Sequence, residues 1–115
     1  MKTVRTYKRA YYRLRYPSSM RPKLRIDSIE YDVVELSERG LRIIGGSSFD
    51  MQPETPIHGE IRFSDQSTSE IVGAMMRRDK DEIVFSVSSG VSYKRMLEEQ
   101  LHIVHKFPSY FSKPE

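Results

Sequence analysis

Cysteine is absent from the 115 residues, and with it any disulfide framework or thiol chemistry. Apolar runs are short, far below the roughly 20 residues that a membrane-spanning helix needs. Met1–Arg9 lacks the apolar core of a signal peptide, so the expected compartment is the cytoplasm. No nucleophile elbow, phosphate-binding P-loop or dinucleotide glycine fingerprint occurs. Asp79, Asp81 and Glu82 lack the glycine-punctuated spacing of a calcium loop. Glu98, His102 and His105 fall on one helical stretch, but without cysteine or a nearby further ligand they read as a solvated face rather than a metal site. The expectation is a protein that is not an enzyme and holds neither metal nor cofactor.

Acid is also missing from the start of the chain. Nine basic residues, from Lys2 to Arg25, precede the first carboxylate, Asp27. The remainder carries ten basic and sixteen acidic residues, net −6, within an overall charge of +3. A basic arm on an acidic body points to a polyanionic partner for the arm. Tyr7, Tyr11, Tyr12 and Tyr16 are interleaved with its Arg and Lys residues, a mixture that suits stacking on bases and bonding to phosphates. The plainer reading has the tyrosines docking the arm on the body.

The length fits one domain with a modest core. Residues 1–21 read as a flexible basic arm, 22–107 as the folded body and 108–115 as a loose tail. Leu24 and Ile26 alternate with charges, and Asp27-Ser28 offers a turn. Strands are expected at about Ile29–Glu35, Leu41–Ile44, Ile57–Phe63, Glu70–Arg78 and Glu82–Ser88, the last two joined by a hairpin at Asp79-Lys80-Asp81. The period then changes. Tyr93, Met96, Leu97, Leu101 and Val104 recur at three and four, predicting an amphipathic helix over roughly Ser92–His105 with Ser92 as its N-cap. About six short strands followed by one helix favour a mainly-β fold, a small six-stranded antiparallel barrel with a covering helix.

Two short stretches stand out. Lys8–Arg13 sets Arg9 and Arg13 four residues apart, and Val33–Gly40 ends a strand in Glu35, Leu36, Ser37 and, three further on, Gly40. On an extended chain Glu35 and Ser37 share a face while Leu36 points into a core. Together the stretches resemble the PilZ family, whose signature is an R-x-x-x-R segment followed by a D/N-x-S-x-x-G segment. Arg9 and Arg13 match the first, Ser37 and Gly40 the second, and Glu35 stands where the family has Asp or Asn.

The resemblance implies the six-stranded PilZ barrel and binding of the bacterial second messenger cyclic di-GMP at Arg9, Arg13, Glu35, Ser37 and Gly40, with Lys8, Arg39 and Arg77 as auxiliary residues. The chemistry of these side chains agrees with that role. A guanidinium forks onto phosphate or onto the O6/N7 edge of guanine, which lysine cannot do. A carboxylate at Glu35 accepts from guanine N1–H and N2–H. The plainer alternative pairs Glu35 with Arg39 or Arg42. The resemblance further implies a relay to a downstream protein through ordering of the arm, with motility, biofilm or exopolysaccharide control as family outputs. Two other classes compete: a PilZ-like protein-interaction adaptor that binds no nucleotide, and a small nucleic-acid-binding barrel.

Overall fold

The computed structural model describes residues 12–46 and 49–111. Seven strands and a helix follow one another: β1 (Leu14–Arg15), β2 (Lys23–Ile26), β3 (Ile29–Leu36), β4 (Gly40–Ile44), β5 (Pro56–Arg62), β6 (Thr68–Asp79), β7 (Glu82–Ser89) and α1 (Tyr93–Lys106). A short 3-10 turn, Ser18–Met20, lies between β1 and β2. All pairings are antiparallel. The order is β1-β3-β2-β5-β6-β7-β4, and β4 pairs back onto β3. Strands β2 to β7 therefore close the six-stranded barrel that the sequence predicts. The extra strand, β1, continues along the edge of β3 beyond the point where β2 ends.

Period-two alternation explains the barrel wall. In β5, Ile57, Gly59 and Ile61 are buried between exposed His58 and Glu60, and in β7 Ile83, Phe85 and Val87 face inward. Each large apolar side chain so buried is worth about 1.5–3 kcal/mol. Two-residue turns join β2 to β3 at Asp27-Ser28 and β6 to β7 at Lys80-Asp81. Asp27 and Lys80 take left-handed backbone with φ of 56° and 58°.

Two elements sit differently from the sequence reading. The stretch expected as a free arm is, from Tyr12 onward, built into the barrel. Leu14 and Tyr16 are buried, while Arg13 and Arg15 point outward. The alternation Tyr12, Leu14, Tyr16 against Arg13, Arg15 is that of a half-buried strand. Residues 1–11, with Lys8 and Arg9, lie outside the described residues. At the other end Tyr110 packs against the core, and its hydroxyl donates to the Arg15 carbonyl at 2.9 Å.

The helix starts as expected, with the Ser92 hydroxyl accepting from the Arg95 N–H. Its buried face is Met96, Glu99 and Ile103; of the expected apolar stripe only Met96 is covered, and Tyr93, Leu97, Leu101 and Val104 are exposed. The face rotates because Glu99 has partners below it. Its carboxylate accepts from the Tyr16 hydroxyl at 2.7 Å and from Arg95 at 3.0 Å, and the Arg95 guanidinium lies 4.2 Å from the centroid of the Phe63 ring. Burial raises the Glu99 pKa despite these partners, and burial beside the Glu99 carboxylate raises that of Tyr16.

Candidate functional site

A cleft of about 240 Å³ opens on the outer wall where β3, β4, β6 and β7 meet the end of β1. Its lining includes Arg13, Glu35, Ser37, Arg39, Gly40, Arg42 and Arg77. Two irregularities in the sheet shape it. Between β3 and β4 the register steps from Val33 opposite Ile43 to Glu35 opposite Arg42, so Val34 is an extra residue. On a regular strand Glu35 would share the inward face of Val33. The bulge reverses the alternation, sends Leu36 into the core and turns Glu35 out into the cleft. The second bulge lies on β6 between Met75 and Arg77, opposite Phe85 and Val84, and brings Met76 and Arg77 to the same rim.

The turn from β3 to β4 is held by its own atoms. The Ser37 N–H donates to the Gly40 carbonyl at 2.9 Å, and the Ser37 hydroxyl accepts from the Arg39 N–H at 3.3 Å. Gly40 has no steric obligation to the fold: a Cβ there would meet the Phe85 carbonyl oxygen at 3.4 Å and Ser37 Oγ at 3.7 Å, ordinary contact distances. Its missing side chain leaves more of the cleft open beside Ser37 and Phe85.

The electrostatics are those of a guanidinium cluster threaded with carboxylates. Glu35 lies 3.5 Å from Arg15, 3.9 Å from Arg42 and 4.0 Å from Arg13. Glu82 holds Arg15 at 2.6 Å and Arg42 at 3.4 Å, and Asp79 takes Arg42 at 3.0 Å and Arg77 at 3.3 Å. The hydrogen bond from Arg15 keeps the Glu82 carboxyl below its ordinary pKa, and that from Arg77, aided by Arg42, does the same for Asp79. Counting these carboxylates, Arg13, Arg15, Arg39, Arg42 and Arg77 meet Glu35, Asp79 and Glu82, a positive excess among the described residues that favours an anion.

Of the residues singled out in the sequence, Arg13, Glu35, Ser37 and Gly40 come together with Arg39 and Arg77 around this one cleft. Lys8 and Arg9 fall outside the described residues. Sequence reasoning did not single out Arg15 or Met76, and it offered Arg42 only as a partner for Glu35. For Arg42 the signal was available: one strand after Glu35 it is the nearest cross-strand cation. Arg15 needed the recognition of β1. Among the described residues no group of three His, Asp or Glu gathers to hold a metal ion. No helix among them is long and apolar enough to cross a membrane.

No family model matches the sequence, and no curated protein matches it either. Among solved structures, the chain is similar to Bacillus subtilis Inhibitor of motility (MotI/DgrA), with a TM-score of 0.65 and 12% identity. The match covers 94% of this chain and 55% of that one, so the chain spans about half the length of its structural neighbour. At that identity the likeness is one of fold, and it supports the PilZ-like barrel that the two motifs imply.

Proposed function

We propose that the chain is a PilZ-type receptor that binds cyclic di-GMP in this cleft and passes the signal to a protein partner. The observation that carries the reading is the convergence of Arg13, from the first motif, with Ser37 and Gly40, from the second and more than twenty residues on, at one arginine-rich wall. Arg13, with Arg9 from the preceding residues, supplies forks for phosphate or the guanine O6/N7 edge. Ser37 offers a hydroxyl beside them, and Met76 an exposed apolar surface for a purine face. At about 240 Å³ the cleft is smaller than the roughly 300–1,000 Å³ of most ligand sites, so it would seat part of a dinucleotide. The output, whether motility, biofilm or exopolysaccharide control, would follow from the partner.

A second reading, an adaptor that acts without nucleotide, is favoured by one observation: α1 leaves Tyr93, Leu97, Leu101 and Val104 exposed in a single stripe. Calorimetric titration of the protein with cyclic di-GMP, GMP and a single-stranded oligonucleotide separates the readings. Saturable binding of cyclic di-GMP in preference to the others is expected. Heat from the oligonucleotide alone would favour a nucleic-acid barrel, and no heat from any would favour the adaptor.

A further inference from the structure

Among the described residues that line the cleft Glu35 is the one acid, and its surroundings differ from those of its acidic neighbours. Register places it opposite Arg15 on one side and opposite Arg42 on the other. Its three ion pairs among the described residues are loose, at 3.5 to 4.0 Å, whereas Glu82 holds Arg15 at 2.6 Å and Asp79 holds Arg42 at 3.0 Å. Arg15 and Arg42 therefore keep close carboxylates if Glu35 withdraws. Arg13 differs: among the described residues its ion pair is with Glu35 alone. The Glu35 side chain is 18% exposed, placed by the β3 bulge at the cleft wall rather than in the core.

We infer that Glu35 is the cleft's own counter-ion. Its carboxylate neutralises Arg13, with help to Arg15 and Arg42, and occupies the place that a phosphate of the ligand takes over. This rests on the anion-binding reading of the cleft and gives Glu35 a role opposite to a guanine reader: its charge opposes the ligand instead of recognising it. Glu82 and Asp79 hold Arg15, Arg42 and Arg77 without ligand, and Glu35 is the carboxylate that answers Arg13. Ligand phosphate and Glu35 then compete for Arg13. The resting site is neutralised from within, and only an anion that brings more than one charge, or further contacts of its own, displaces the carboxylate.

The test compares wild type, Glu35→Gln and Glu35→Ala by calorimetric titration at low and physiological salt, with thermal melts to show that each is folded. Two probes are used, cyclic di-GMP and inorganic pyrophosphate, the latter having no base to read. The expected result is tighter binding of both probes by both variants, roughly fivefold at low salt for one unit charge removed about 4 Å away in a water-like dielectric. The gain should shrink at physiological salt. Unchanged or weaker pyrophosphate binding, or none by any form, would overturn the counter-ion role. So would weaker binding of cyclic di-GMP by the variants, since a guanine contact would then dominate. Tighter pyrophosphate with no cyclic di-GMP binding by any form would leave the counter-ion in place and remove cyclic di-GMP as the ligand.

Discussion

The Tyr16 hydroxyl donates to the Glu99 carboxylate at 2.7 Å across 83 residues of sequence. It ties the residue just after β1, three on from Arg13, to the buried face of α1. Glu99 is only 3% exposed, so its charge depends on Tyr16 and Arg95 for solvation. Tyr16→Phe keeps the ring in place and removes one of the two. A hydrogen bond to a charged group is worth about 1.5–3 kcal/mol, and a loss in that range is expected in urea denaturation. Unchanged stability would mean that Glu99 is already protonated or finds water when Tyr16 is cut.

Stability should fall on acidification. Asp79 and Glu82 are held below the ordinary carboxylate range by arginines, and Asp65 is held lower still by hydrogen bonds from Ser67 and then Arg95. For each, the unfolded chain binds the proton more readily, so the contribution is present above an ordinary value of about 4 and is lost as pH falls through the depressed folded values. Glu99 works the other way: its raised value gives a contribution present in acid that is lost as pH rises through it. Three acids oppose one, so melting temperature should drop between about pH 4 and pH 2. The drop should be steeper in Glu99→Gln, and a melting temperature that rises into acid would refute the balance.

Within the proposed binding function, Arg13→Ala and Arg9→Ala should each weaken cyclic di-GMP binding by about 1.5–3 kcal/mol, roughly tenfold to a hundredfold. Arg13 reaches the cleft from the outward face of the stretch leading into β1. The fold should tolerate its loss, because its contact with Glu35 is long and half exposed. Wild-type affinity in both variants would show that the arginine pair does not hold the ligand.

The barrel was legible because its signals are local. Alternation in Ile57–Phe63, the Asp-Lys-Asp turn before Glu82 and the shift to a three-four period at Tyr93 each mark one element. Of the eleven described residues that line the cleft, the motifs name four, Arg13, Glu35, Ser37 and Gly40. What stayed hidden depends on long-range partners. β1 is two residues long in a stretch dense with arginine, and only its pairing with Leu36 and Glu35 makes it a strand. The bulges at Val34 and Met76 appear only when two strands are laid side by side. The helix was turned by a buried glutamate, whose burial no hydrophobic period can announce, since it depends on a tyrosine 83 positions earlier.

Gly40 separates the needs of the fold from those of the ligand. An added Cβ at Gly40 would sit 3.4 Å from the nearest backbone oxygen, and its φ is not among the positive ones. At Gly73 the same carbon would lie 2.0 Å from the Ser86 carbonyl oxygen, which demands that the β6–β7 ladder move. Gly40→Ala should therefore melt close to wild type, with a lower unfolded-chain entropy offsetting any small crowding by about 0.4–1 kcal/mol. Gly73→Ala should lose several kcal/mol, as expected when backbone is forced apart. Cyclic di-GMP binding should show the opposite order. Under the proposed binding function Gly40→Ala should cost tenfold or more, because its methyl would take space in the cleft that the ligand is proposed to fill, and Gly40→Val more again. If Gly40→Ala unfolds, the glycine serves the turn. If it folds and binds like wild type, no ligand approaches the β3–β4 turn, and the binding face must lie elsewhere on the barrel.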